Sequence, residues 1–120
     1  MSLVAVNPER ISEADCRIAA AIALHGRLPE QYVLRAEVKL RAGYGGSSRG
    51  ARLDLAVIDK LSGRIALVLE TKRSPDSRAT AQGERYGRMV GARVIYLRGM
   101  KDCEACAERV LDALQSVAPG

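Results

Sequence analysis

Residues 51–73 read ARLDLAVIDKLSGRIALVLETKR and contain two apolar runs separated by a short polar segment. Each run has the length and composition of a β-strand. The segment between them, Leu61-Ser62-Gly63, is typical of a three-residue hairpin loop that ends in a left-handed glycine. Both faces of each run are mostly apolar, so we expect this hairpin in the middle of a sheet that helices cover on both sides.

The loop fixes which residues of the two runs lie opposite each other. If Lys60 pairs with Arg64, Asp54 lies directly opposite Glu70, with Cβ atoms about 4.5–5.5 Å apart. The same register predicts four apolar pairs: Leu55 with Leu69, Ala56 with Val68, Val57 with Leu67 and Ile58 with Ala66. Like charges at opposite positions on an apolar face are destabilising, so folding stability does not account for the two carboxylates.

A divalent cation would offset this repulsion. Mg²⁺ prefers oxygen ligands and commonly uses one or two carboxylates together with water and substrate phosphate. Lys72 lies two residues after Glu70 and therefore on the same face, where its ammonium can orient a water. The carbonyl of Thr71 can supply a further oxygen. The sequence thus predicts a Mg²⁺ site, which Mn²⁺ can also occupy, formed by Asp54, Glu70 and Thr71.

The flanking sequence predicts helices and strands around this hairpin. Ser12 and Asp15 are spaced as a capping box and open an apolar helix that ends before Gly26. Residues 32–41 alternate as an outer strand with one buried face. Further along, the pattern predicts a helix over 77–90, a strand over 93–98 and a helix over 102–117, with the order α-β-β-β-α-β-α. The residues expected to face inward are Ile18, Ala19, Ile22 and Ala23 in the first helix, Tyr32, Leu34, Ala36, Val38 and Leu40 in the outer strand, and Ala105, Val110, Leu111, Leu114 and Val117 in the last helix.

Asp54 on one strand and Glu70-x-Lys72 on the next resemble the motif of the PD-(D/E)XK phosphodiesterase superfamily. On the following helix, Gln82 and Tyr86 match the Q-x-x-x-Y element of type I restriction-enzyme nuclease domains and lambda-exonuclease-like members. Leu53 stands where the superfamily's name has proline, which removes no ligand. The resemblance implies an α/β fold of the restriction-endonuclease-like type, an αβα core with a central mixed four-stranded sheet, over residues 1–120 as a single domain.

The resemblance also implies a Mg²⁺-dependent endonuclease that cleaves DNA. Asp54 and Glu70 would hold one or two Mg²⁺ ions, and Lys72 would help to position the attacking water. The family often adds an acidic residue from the first helix, for which Glu13 is favoured over Glu9. Glu37 is a weaker rival because its strand neighbours suggest a solvated face.

Gln82 and Tyr86 fall on the inward side of their predicted helix. An amide at this position needs a polar partner, which we expect to be the active site or a substrate phosphate, although a bond to the backbone is the alternative. Tyr86 either packs in the core or brings its hydroxyl to the site.

The charge balance favours a polyanionic partner. Lysine and arginine total 19 against 14 aspartate and glutamate residues, and most of the cations are arginine, which binds phosphate bidentately. With no Trp and no Phe to stack single-stranded bases, duplex or branched DNA is the expected substrate, and RNA remains an alternative. Residues that could contact the DNA backbone flank the predicted triad and a glycine-rich loop at 43–50: Arg49, Arg52, Arg73, Arg78, Arg85 and Arg88.

Three other functions stay open on the residues alone. The first is a non-catalytic DNA-binding or assembly module with the same fold, and the second is a homodimeric resolvase of DNA junctions. A nuclease that works with a partner subunit is the third. Cys16, Cys103 and Cys106 are expected to be reduced, small apolar helix residues, with a zinc or redox role as the weaker alternative.

Length and composition are typical of one globular domain of 120 residues, 48% of them hydrophobic and 28% charged. The longest apolar run, at residues 18–24, is shorter than the roughly 20 residues that a transmembrane helix needs. Residues 1–10 lack the apolar segment of a secretory signal, so a cytoplasmic, non-membrane protein is expected. The single histidine, His25, precedes Gly26 and is predicted to end a helix, which disfavours hydrolases with a catalytic histidine.

Overall fold

The protein has a four-stranded mixed sheet with helices on both faces, as the sequence predicts. The structure is a computed structural model that describes residues 5–40, 51–75 and 81–117. Its elements, in chain order, are α1 (Glu13–Leu24), β1 (Tyr32–Leu40), β2 (Ala51–Asp59), β3 (Ile65–Lys72), α2 (Ala81–Val90), β4 (Arg93–Arg98), α3 (Gly99–Glu104) and α4 (Ala107–Gln115). The α/β class is therefore confirmed, and the element order differs from the prediction only in having two helices at the end.

The strands lie in the order β1-β2-β3-β4. The first three are antiparallel, and β4 joins β3 in parallel after the chain crosses over through α2. The predicted hairpin, β2 and β3, thus forms the middle of the sheet, and β1 is an outer strand as expected.

The hairpin loop is one residue longer than predicted. The backbone N–H of Asp59 donates to the carbonyl of Arg64 over 2.9 Å, which leaves four residues, 60–63, in the loop. The Asp59 carboxylate accepts from the N–H of Leu61 over 2.8 Å, and Gly63 takes the left-handed conformation with φ +74°. An aspartate side chain that bonds two residues ahead stabilises this wider turn, so the predicted three-residue loop is wrong.

A second irregularity in β3 compensates for the longer loop. The register shifts between Val57 and Ile58, and Ile58 pairs with Ile65 instead of the predicted Ala66. This bulge adds one residue to β3. Beyond it the predicted pairs are confirmed: Leu55 with Leu69, Ala56 with Val68, and Val57 with Leu67.

The two faces of the sheet carry separate apolar clusters. The larger cluster joins β2 and β3 to α1, α3 and α4 and includes Leu55, Val57, Leu67 and Leu69. The smaller cluster joins the other face to α2 and contains Leu53, Ala56, Val68 and Tyr86. Both central strands are therefore covered on both sides, as their apolar composition predicts.

The predicted alternation of β1 holds only for its first half. Tyr32 and Leu34 pack against the larger cluster, but Val38 and Leu40 pack against the smaller one. Between them, Glu37 has a φ of +52°, a left-handed conformation that is unfavourable for residues other than glycine. The strand thus changes the face that it turns to the core at Glu37.

The capping box of α1 is confirmed. The Asp15 N–H donates to Ser12 Oγ over 3.1 Å, and the Ser12 N–H donates to Asp15 Oδ2 over 2.9 Å. His25 is the C-cap residue, as predicted. The buried residues of the helix are Cys16, Ala20 and Leu24, whereas Ile18 and Ile22 are 57% and 70% exposed, so the expectation of an inward-facing Ile18 and Ile22 is wrong.

The predicted helix over 102–117 is divided in two. The chain leaves helical geometry at Ala105, which has φ −104° and ψ 15° and is exposed, contrary to the predicted inward position. Cys103 and Cys106, on either side of the break, both lie in the larger cluster, where Cys106 Sγ is 3.8 Å from the carbonyl of Ala20. Cys16 is buried there too, and burial raises the pKa of the Cys103 thiol to about 12, which suits a packed apolar residue. None of the helices that the structure describes is long and apolar enough to span a membrane.

Candidate active site

Glu70 and Lys72 lie together at the end of β3, on the face covered by α2. Their neighbours Val68 and Leu69 pack in the smaller and larger clusters respectively, so strand alternation places Glu70 and Lys72 on the side of Val68. Lys72 Nζ is 3.6 Å from Glu70 Oε2. The predicted pairing of carboxylate and ammonium is therefore present.

Asp54 lies on β2, close enough to Glu70 for its charge to raise the pKa of that carboxyl. The observed pairing of β2 with β3 runs to Leu55 and Leu69, one residue short of the predicted pair of Asp54 with Glu70, so that pair stays a prediction. Asp54 is half-buried, whereas Glu70 is only 8% exposed. The hairpin thus brings two carboxylates and one ammonium to the same end of the two central strands.

The pKa of Glu70 reflects its burial and the charges close to it. Burial raises the pKa of Glu70 above its ordinary value, and the charge of Asp54 raises it further. The charge and the hydrogen bond of Lys72 lower the pKa of Glu70, but the net shift is upward. The protein's own charges therefore leave the ionised pair of carboxylates under-compensated, and a bound cation would stabilise it.

Glu13 is near enough for its charge to influence the pKa of Glu70. It is exposed at the start of α1, and its charge makes the smallest contribution to the raised pKa of Glu70. Glu37, the weaker rival, lies 3.5 Å from Arg17 and 4.0 Å from Arg52, and Glu9 is exposed. The charge of Glu13 thus acts only weakly on Glu70, whereas Glu37 lies beside Asp54, between the pairs of Ala36 with Leu55 and of Val38 with Leu53.

Thr71 lies between Glu70 and Lys72 and is fully buried. Strand alternation turns its side chain to the opposite face, and its hydroxyl has no hydrogen-bond partner among the described groups. The predicted ligand at this position is the backbone carbonyl, and that assignment stays a prediction.

The Q-x-x-x-Y element lies on α2, which covers this face of the sheet. Tyr86 is 7% exposed and packs with Leu53, Ala56 and Val68. Gln82 belongs to the first turn of the same helix, but its side chain is outside the described part of the structure. The packing role predicted for Tyr86 is confirmed, and contact of either residue with a substrate stays a prediction.

The predicted DNA-contacting arginines are only partly described. Arg52, Arg73, Arg85 and Arg88 are exposed, and Arg52 lies beside Glu37. Arg49 and the glycine-rich loop, together with Arg78 and the start of the predicted helix 77–90, lie outside the described residues.

Two residues of β4, which the sequence did not indicate as part of the site, lie next to Glu70 and Lys72. Tyr96 pairs with Glu70, and Arg98 pairs with Lys72 in the parallel register of β3 and β4. The guanidinium carbon of Arg98 is 5.5 Å from the centre of the Tyr96 ring. Because a parallel partner is separated by a whole helix in the chain, no local pattern in the sequence indicates this neighbour.

The donor set fits Mg²⁺ better than a metal that needs an all-protein cage. Among the described residues, no group of three or more His, Cys, Asp and Glu side chains is arranged to hold a metal ion. Asp54 and Glu70 offer two hard oxygen donors at a half-buried position, and Mg²⁺ completes its octahedron with water and phosphate. A carboxylate pair of this kind therefore matches the predicted ion.

We expect Glu70→Gln to stabilise the metal-free protein at neutral pH, by on the order of 1 kcal/mol, the scale of one cross-strand pair. The raised pKa of Glu70 means that the folded state holds the proton more tightly than the unfolded chain. Below the ordinary value of 4.5 both states are protonated and no penalty exists. As the pH rises above it, the wild type loses stability relative to the variant, until the folded carboxyl has ionised.

Unfolding in denaturant, followed in EDTA from acid to neutral pH, measures this difference. Glu30→Gln, which changes an exposed glutamate of the α1–β1 connection, is the matched control. Its difference in stability from the wild type should not increase with pH. A gap between Glu70→Gln and wild type that is equal at all pH values would contradict the account of Glu70.

No family model, curated protein or solved structure matches this chain, so the function of the site is inferred from its own residues.

Proposed function

We propose that this chain is a Mg²⁺-dependent phosphodiesterase that cleaves DNA internally. The observation that carries the proposal is the closeness of two carboxylates, Asp54 and Glu70, on the two central strands, with Lys72 3.6 Å from Glu70. The pair costs folding energy, because burial and like charge disfavour its ionised form. A bound cation explains why the fold would retain it.

Asp54 and Glu70 would hold the cation from adjacent strands, with the Thr71 carbonyl as a further donor. A divalent cation bound there would stabilise the negative charge that develops on the phosphate and favour ionisation of a nearby water. Mg²⁺ is the proposed ion, and Mn²⁺, which accepts the same oxygen donors, is the proposed substitute.

Lys72 would position the attacking water. Its ammonium is partly buried and already lies beside Glu70, within reach of a water that this carboxylate would hold. Glu13, at the start of α1, would add a third acidic group near the same end of the sheet. Gln82 would donate its amide to the substrate from α2, while Tyr86 anchors that helix by packing.

DNA is the proposed substrate because the chain carries an excess of arginine and no Trp or Phe for stacking unpaired bases. Arg73 and Arg85 are exposed, as is Arg52 beside Glu37, and all three would follow a phosphate backbone. A duplex or a junction is therefore favoured over a single strand, and a second copy or a partner subunit would supply any sequence specificity. We place this activity in the cytoplasm, where the three buried thiols would stay reduced.

Cleavage assays with purified protein test the proposal. Linear, supercoiled, single-stranded and four-way DNA, and an RNA duplex, are incubated with Mg²⁺, Mn²⁺ or EDTA. Cleavage is expected with either metal, none with EDTA, and a loss of about 10³-fold or more in Asp54→Asn.

Asp112→Asn, an exposed aspartate of α4, is the matched control and should cleave like the wild type. Cleavage by Asp54→Asn at the wild-type rate would show that the activity does not come from this site. If all substrates stay intact with every metal while DNA still binds, the chain is a non-catalytic DNA-binding module.

A further inference from the structure

Arg98 lies beside the proposed active site because β4 runs parallel to β3. In this register Glu70 pairs with Tyr96, and Lys72 pairs with Arg98. Neighbouring strands are about 4.8 Å apart, and strand alternation turns residues 96 and 98 to the same face as residues 70 and 72. Glu70, Lys72, Tyr96 and Arg98 therefore lie side by side on one face of the sheet.

The guanidinium of Arg98 lies over the ring of Tyr96. Its central carbon is 5.5 Å from the ring centre, within the range of a cation–π interaction. The pKa of Tyr96 is raised by burial, then by Glu84 and Glu70, and lowered by Arg98, which agrees with the close approach of these groups. Stacking on one face leaves the N–H groups at the edge of the guanidinium able to donate.

The Arg98 side chain has no carboxylate partner within the described ranges, although other cations nearby do. Lys72 is paired with Glu70. Asp102, the acid closest to Arg98 along the chain, accepts the backbone N–H of Arg98 over 2.9 Å and lies 3.7 Å from Arg109. A preorganised, half-buried and unneutralised guanidinium favours an anionic ligand.

We infer that Arg98 binds a backbone phosphate of the nucleic acid in the proposed active site, next to the phosphate that is cleaved. The inference rests on the proposed function for the class of substrate. Arg98 lies one strand beyond Glu70, on the side away from Asp54, so it is beside the carboxylate pair and not across it. A guanidinium there can donate two parallel hydrogen bonds to one phosphate and fix the register of the strand.

Binding measurements test this inference with Arg98→Gln, Arg98→Lys and Arg93→Gln. Arg93 is an exposed arginine at the other end of β4, so Arg93→Gln makes the same charge change on the same strand. Each variant is combined with Asp54→Asn to prevent cleavage, and fluorescence anisotropy follows binding to a short DNA duplex over a range of salt concentrations.

Arg98→Gln should weaken binding about tenfold relative to Arg93→Gln and reduce the slope of log affinity against log salt by about one, as expected for one lost phosphate contact. Arg98→Lys should keep the salt slope and recover part of the affinity, because lysine retains the charge but not the bidentate geometry. A residue that only packs on Tyr96 would leave the slope unchanged. Equal affinity and slope for Arg98→Gln and Arg93→Gln would overturn the inference.

Failure of the proposed hydrolysis is separable from failure of this inference. If the wild type binds DNA without cleaving it, and Arg98→Gln loses affinity and slope, the phosphate contact stands and the hydrolysis proposal fails. If the wild type cleaves DNA and Arg98→Gln binds it like Arg93→Gln, the hydrolysis proposal stands and the phosphate contact of Arg98 fails. Thermal melting is expected to be alike for the two glutamine variants, and Arg98→Lys carries the test if Arg98→Gln does not fold.

Discussion

Lys72→Met is expected to lose DNA cleavage by about 10²- to 10³-fold while it keeps the bound cation. The ammonium of Lys72 lies 3.6 Å from Glu70, where it lowers the pKa of that carboxyl and can orient the attacking water. Methionine keeps most of the side-chain volume but donates no hydrogen bond. Without the ammonium, less positive charge offsets the repulsion between the two carboxylates. The affinity for Mg²⁺ should therefore stay the same or rise.

Single-turnover cleavage and Mg²⁺ titration of the same preparation measure the two effects separately. Lys60→Met, in the exposed loop of the hairpin, is the matched control and should retain both properties. If Lys72→Met cleaves DNA at the rate of Lys60→Met, Lys72 has no part in the chemistry. A joint loss of cleavage and Mg²⁺ binding would instead assign Lys72 to the integrity of the metal site.

Gly87→Ala is expected to destabilise the protein by about 1–3 kcal/mol, because it overfills the contact between α2 and β4. A Cβ at this position would come within 2.6 Å of Val94 Cγ2 and 2.9 Å of the Ala92 carbonyl oxygen. The helix must then move away from the sheet. Since α2 carries Gln82 and Tyr86, cleavage should fall together with stability.

Chemical denaturation and cleavage rates of Gly87→Ala check this expectation. The double variant Gly87→Ala/Val94→Ala removes the shorter contact but not the backbone one, so it should recover part of the helix position at the cost of a smaller core. Glu84→Ala, an exposed change on the same helix, should have little effect on stability. A Gly87→Ala protein as stable as the wild type would mean that α2 is not packed this closely.

The centre of the sheet is predictable because its signals are local and redundant. The apolar runs around Leu55 and Leu69 indicate central strands on their own, and the charged residues that interrupt them stand out for that reason. The predicted register of these pairs is correct only because two deviations from the predicted hairpin cancel each other. The Asp59 side chain stabilises a loop that is one residue longer than predicted, and the bulge in β3 restores the predicted register beyond it. Neither feature is determined by composition alone.

The features that the sequence did not reveal depend on distant contacts or on strain. The change of face in β1 arises at Glu37, a residue that has no intrinsic preference for a positive φ. The break at Ala105 falls in a segment without glycine or proline, so helix propensity does not indicate it. Arg98 reaches the site only through parallel pairing with β3, a contact that spans a whole helix in the chain.

The central claim is that Asp54 and Glu70 together bind a divalent cation. Calorimetric titration with Mg²⁺ or Mn²⁺, paired with thermal unfolding, tests this claim most directly. At metal concentrations about 10 to 100 times the dissociation constant, the wild type and Asp112→Asn should gain about 1–3 kcal/mol of stability. Asp54→Asn and Glu70→Gln should lose both the binding heat and the stabilisation. Equal binding and stabilisation in Asp54→Asn and the wild type would contradict the claim.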